Sequence, residues 1–85
     1  MSVKNFKAKI TATKHDVVNG ELLFVFDSEE SVGVIELNGN KVLKVGETGE
    51  ANITLDKSFK ISLEDPFTAK IIGNGENCGG QVIYI

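Results

Sequence analysis

Phe6, Ala8, Ile10 and Ala12 alternate with Lys7, Lys9, Thr11 and Thr13. Successive side chains of an extended chain point to opposite faces, so this alternation predicts a strand with one buried face. The stretch Leu22-Leu23-Phe24-Val25-Phe26 breaks the rule, having no polar residue. Five consecutive large apolar side chains predict a core strand that is covered on both faces or lies centrally in a sheet with one face under a partner. The run is too short for a helix, and turn residues bound it, Asn19-Gly20 before and Asp27-Ser28 after.

The remaining pattern follows in order. Lys14 to Gly20 reads as a loop or loose strand, and Val32 to Leu37 as the third strand. Leu37-Asn38-Gly39-Asn40 sets Asn-Gly where a two-residue hairpin needs positive φ, and Lys41-Val42-Leu43-Lys44-Val45 resumes strand character. After the turn Gly46-Glu47-Thr48-Gly49, the residues Ala51, Ile53 and Leu55 alternate with polar positions; Asp56-Lys57 interrupts, and Phe59, Ile61 and Leu63 alternate again. These two stretches are expected to pair as a second hairpin. Asp65-Pro66 ends it, Phe67, Ala69 and Ile71 mark the seventh strand, Gly73 to Gly80 reads as a glycine-rich loop, and Gln81 to Ile85 as a last strand. No window holds a 3.6-residue apolar period. The expectation is one all-β domain over residues 1–85, an antiparallel β-sandwich of about eight strands, with a small β-barrel as the alternative.

The segment Gly46-Glu47-Thr48-Gly49-Glu50-Ala51-Asn52-Ile53-Thr54-Leu55 resembles bacterial and phage immunoglobulin-like domains, in which a Gly-x-Ala turn introduces a Thr-rich strand. The resemblance implies an immunoglobulin-like sandwich, used as a spacer, an adhesive module or a virion surface decoration rather than as an enzyme.

Charge and length narrow the function classes. The chain has 85 residues and a formal net charge of −3, which argues against a general binder of nucleic acid or of anionic membranes. No apolar run approaches the roughly 20 residues that cross a bilayer as a helix. Met1-Ser2-Val3-Lys4 leads into strand-like sequence without the pattern of a secretory signal, so a cytoplasmic or virion-associated setting is expected. Cys78 is the single cysteine, which excludes an intrachain disulfide and a cysteine zinc cluster. Further stability is expected from a homo-oligomer, and the aliphatic stretch Val82-Ile83-Tyr84-Ile85 is expected to complete a sheet in its own subunit or a neighbour's.

Catalytic chemistry finds little support. His15 lies in the first loop and Cys78 in the last, where the plain reading is a surface histidine and an incidental thiol. The glycines of Gly73 to Gly80 lack the Lys-Ser/Thr of a phosphate-binding loop and a helix to follow it. The sequon Asn52-Ile53-Thr54 falls in mid-strand. No catalytic, cofactor or metal residue is assigned. One constellation does emerge from strand alternation. If successive strands run antiparallel, the loops after strands two, four and six share a pole that holds Asp27, Glu29, Glu30, Glu47, Glu50, Glu64 and Asp65, seven of the twelve acids and no lysine. The other pole holds Lys14, Lys41 and Lys57 beside Asp16, Asp56 and Glu76. Solvated charge is the plain reading of the acidic pole; a docking surface for a basic protein partner, or a calcium site between loops, is the functional one. The expected function is a non-enzymatic structural or protein-interaction module, such as a virion decoration, an assembly component or a small binding protein. The alternative is a small phage-encoded inhibitor or regulator acting through the acidic surface.

Overall fold

Alternation of apolar and polar side chains builds six strands among the described residues of the computed structural model, which are 2–27, 29–40, 42–73 and 75–85. The strands are β1 (Ser2–Ala12), β2 (Gly20–Phe26), β3 (Glu29–Leu37), β4 (Thr48–Lys60), β5 (Pro66–Ile71) and β6 (Gly75–Tyr84). Met1, Ser28, Lys41 and Asn74, which the sequence places at the start, in a turn, in the fourth strand and in the glycine-rich loop, lie outside the described residues.

All pairings are antiparallel, and the order β1-β4-β3-β2-β5-β6 closes on itself through β6 and β1. The meander β2-β3-β4 has β1 beside its last strand and β5 beside its first, so two Greek keys overlap in one barrel. This is the barrel alternative and not the two-sheet sandwich. Closure has a physical origin in β4, which is long enough to pair with β1 along one edge and with β3 along the other, while β6 joins β5 to β1. Ladder bonds then replace the exposed edges that a sandwich would leave.

Among the described residues two expected hairpins are absent. Asn38–Asn40 forms a single 3-10 turn with Gly39 at φ 78°, but the chain does not return along β3. The segment after it contributes only an isolated bridge, Leu43 to Val17. Its amides are taken by side chains instead, Lys44 N–H donating to Glu47 Oε1 at 2.8 Å and Val45 N–H to Asp16 Oδ1 at 3.1 Å. At Asp56-Lys57 the chain bulges rather than turns. Thr54 pairs with Asn5 and Phe59 with Val3, so the extra residues of β4 are accommodated opposite Lys4 and both halves stay on β1. Pairing of β3 with β4 stops at Gly33 and Leu55. There the Ser31 hydroxyl extends the ladder, accepting from Lys57 N–H at 3.3 Å and donating to the Val32 carbonyl at 2.9 Å.

The glycine-rich loop is mostly strand. A side chain at Gly80 would meet Phe67 Cζ at 2.7 Å, Ile10 Cγ2 at 2.8 Å and the Lys9 carbonyl at 2.9 Å, so only glycine lets β6 lie flat over the core here. A bulge near Ala69 sets Asn77 and Cys78 together in the interior.

The core follows from the inward faces. Leu22, Phe24 and Phe26 are buried while Leu23 and Val25 are half-buried on the outside, so the apolar run alternates after all, in a strand held centrally between β3 and β5. All five phenylalanines of the chain join one cluster. Phe26 stands 5.7 Å from Phe6, 6.0 Å from Phe59 and 5.1 Å from Phe67, centroid to centroid. Ring contacts of this geometry add about 0.5–1.5 kcal/mol each beyond area burial.

Candidate functional site

The strand directions divide the barrel into two unlike ends. One end carries the β1–β2, β3–β4 and β5–β6 connections and is sealed by polar bonding. Val17 and Leu43 exchange backbone bonds of 2.7 and 2.9 Å over the top of the core, Asn19 Oδ1 accepts from Leu37 N–H at 2.7 Å, and Gly46 N–H donates to the Ala12 carbonyl at 2.8 Å. Asn77 passes beneath, its carbonyl accepting from the amides of Thr13 and Lys14.

The other end, which we call the open end for the cleft it holds, carries the β2–β3 turn, the β4–β5 connection and the end of β6, with aromatic rings beneath it. Phe26 ends β2, Phe59 lies at the end of β4 and Phe67 begins β5. Above them lies a cleft of about 450 Å³, lined by Phe26, Asp27, Glu29, Phe59, Lys60, Asp65 and Pro66. Phe26 and Phe59, 8% and 7% exposed, form an apolar floor, their rings set edge to face at 81°. Carboxylates and one lysine make the rim.

Local bonding fixes that rim. Asp27 takes φ 48° in the two-residue connection between Phe26 and Glu29, a left-handed conformation that Asp tolerates better than most side chains. Glu64, at φ 71°, donates its N–H to the Val82 carbonyl at 2.7 Å, and Asp65 accepts from Val82 N–H at 3.0 Å through its carbonyl. The Asp65 carboxylate accepts from Ser62 N–H at 2.9 Å, which makes it a turn-former as well as a rim group.

Of the seven acids expected to share a pole, Asp27, Glu29, Glu30, Glu64 and Asp65 lie toward the open end, while Glu47 and Glu50 lie toward the sealed one. The pole assigned to Glu47 and Glu50 is therefore corrected. The expected fourth strand is part of one connection, so the turn after it returns to the end it left. Glu47 also serves the backbone, as the acceptor for Lys44. The open end is not free of lysine, because Asp56, Lys57 and Lys60 come to it with the second half of β4, and Lys4 with the start of β1. Phe26, Phe59, Lys60 and Pro66 were not singled out from the sequence as site residues. Their signal was adjacency, since each apolar or basic member directly flanks a turn acid or a strand end, as in Phe26-Asp27, Phe59-Lys60 and Asp65-Pro66.

Charge distribution sets the open end apart. It holds six carboxylates, Asp27, Glu29, Glu30, Asp56, Glu64 and Asp65, against three lysines, Lys4, Lys57 and Lys60, and the rest of the sequence holds six of each, so the net charge of −3 resides here. Among the described residues no group of three His, Cys, Asp or Glu side chains is placed to hold a metal ion.

The thiol of Cys78 is buried toward the sealed end. Loss of solvation, with the charge of Glu76 adding to it, pushes its pKa up from 9.0 to about 11. A nucleophilic cysteine needs the opposite shift and access to solvent. His15 is exposed on the β1–β2 connection. Asn77 Oδ1 is buried without a hydrogen-bond partner among the described residues.

The chain matches none of the models of known protein families, and a search of curated proteins returns no match.

Proposed function

We propose that this protein is a non-enzymatic protein-interaction module that docks a basic partner at the open end of its barrel. The observation that carries the reading is the coincidence, at one end, of the whole net negative charge with a cleft that has Phe26 and Phe59 at its base. The two ends also use their acids differently. The sealed end spends Asp16, Asn19 and Glu47 on backbone amides, whereas the open end presents Asp27 and Glu29 around the cleft. Carboxylates in that arrangement steer a cationic partner and set its orientation more than they set its affinity.

Fluorescence anisotropy of a labelled hexalysine peptide tests the reading. Binding is expected at low ionic strength and loss of it near 1 M salt, where the screening length falls to about 3 Å. Replacing Glu29 and Glu30 by lysine is expected to weaken the complex at least tenfold without moving the melting temperature, since both side chains are exposed. Binding that survives this double reversal with the same salt dependence would contradict the reading.

A further inference from the structure

We infer that the cleft recognises a bipartite segment, one large apolar side chain flanked by cations, and not a cationic surface alone. The inference rests on the docking reading above and supplies the chemistry of the partner. Its starting point is the floor. Phe26, Phe59 and Pro66 supply the apolar part of its lining, with the two rings meeting edge to face at its base. At about 450 Å³ the space lies toward the small end of ligand pockets, which hold roughly 300–1,000 Å³, and suits one or two inserted side chains rather than a folded surface.

The rim decides what accompanies that side chain. Asp27, Glu29, Lys60 and Asp65 line the same opening. The Asp65 carboxylate is partly committed to the Ser62 amide. Asp27 and Glu29 are therefore the groups for the partner's cations, and they sit on one side, at the β2–β3 turn. Lys60, at the end of the neighbouring strand β4, supplies repulsion at the same rim, so a uniformly basic chain gains at the acids and loses at the lysine. A partner that seats an apolar residue on the rings escapes this conflict. Its flanking cations turn toward Asp27 and Glu29, and burial of the anchor, rather than charge, sets the lifetime of the complex.

Three peptides separate the possibilities: Lys-Lys-Phe-Lys-Lys, Lys-Lys-Gly-Lys-Lys and Glu-Glu-Phe-Glu-Glu, each titrated by calorimetry into the full chain. The anchored basic peptide is expected to bind at least about tenfold more tightly than the glycine peptide, as burial of one aromatic side chain requires, and the acidic peptide is expected not to bind. Lys60→Glu should tighten the anchored complex about threefold and Glu29→Lys should weaken it by a similar factor, both with unchanged melting temperature, as befits exposed rim charges. Phe59→Leu, which keeps an apolar floor of altered shape, should reduce the preference for phenylalanine over glycine. Equal affinity for the phenylalanine and glycine peptides would overturn the anchor while leaving the docking reading in place. Failure of both basic peptides would overturn the two together. Light scattering that finds dimers without peptide, dissolved by Glu29→Lys, would assign the cleft to a second copy of the chain and overturn the inference.

Discussion

Gly80 and its neighbour Gly79 separate two uses of the same residue. At Gly80 a methyl group would press on Phe67, Ile10 and the Lys9 backbone, whereas at Gly79 the nearest atom is the Phe67 carbonyl, 3.8 Å away. Gly80→Ala is therefore expected to cost about 1–3 kcal/mol, the usual range for overpacking, and Gly79→Ala to be nearly neutral. Urea denaturation of the two variants checks the pair, and equal effects would contradict the packing. Cys78 makes a second prediction from a single group. Its folded pKa of about 11 exceeds the ordinary 9.0, so below pH 9 the thiol is protonated in both states and has no influence on the pH dependence. Between pH 9 and 11 the unfolded chain releases the proton first, and stability falls by about 1.4 kcal/mol for each unit by which the pKa is raised. Denaturation midpoints of the native chain and Cys78→Ala, followed from pH 7 to 11, should converge as the pH rises. A constant difference between them would mean that the thiol is not shielded as described.

At the scale of elements, the alternating stretches were legible. Phe6 to Ala12 and Ala51 to Leu55 bury the side chains that their pattern marks, as do Phe67 and Ala69, with Ile71 half-buried. Connections were less legible, because turn residues report a local bend and not where the chain goes next. Asp56-Lys57 fits a hairpin or a bulge equally well, and only the presence of β1 beside both halves selects the bulge. Glycines 79 and 80 carry no apolar signal, so a strand that needs them for close packing reads as a loop. The final strand was legible in kind, and it pairs with β1 and β5 of its own chain. Its burial is narrower than its composition implies. Val82 is fully buried, while Ile83 and Ile85 are exposed and Tyr84 is 69% exposed. Val82→Ala should accordingly cost about 2 kcal/mol, from lost methyl burial and the space left behind. Tyr84→Ala should stay within about 0.5 kcal/mol of the native chain. Thermal unfolding of the two variants distinguishes this from a strand that is stabilising along its whole length.

For the whole molecule, the assignment of loops to ends depends on the number of strands between them. The expected fourth strand is absent and the fifth and sixth are one, so Glu47 and Glu50 change ends, while the two miscounts cancel for Glu64 and Asp65. Individual carboxylates were visible in the sequence; their neighbourhood was not, since it required the path of β4. That path also brings Phe59 and Lys60 to the cleft and turns a plain acidic surface into a charged recess with two phenylalanines at its base. The same architecture crosses the opposite end with backbone hydrogen bonds, beside a second cleft of about 370 Å³ lined in part by Leu37, Val42, Leu43, Glu47 and Glu50. The most direct measurement is a titration of the isotope-labelled protein with hexalysine at low salt, followed by amide chemical shifts. Shifts are expected to concentrate on Phe26, Asp27, Glu29, Phe59, Lys60 and the Asp65-Pro66 turn and to vanish near 1 M salt; shifts spread evenly over the barrel, or centred on Val17 and Leu43 at the sealed end, would contradict the account.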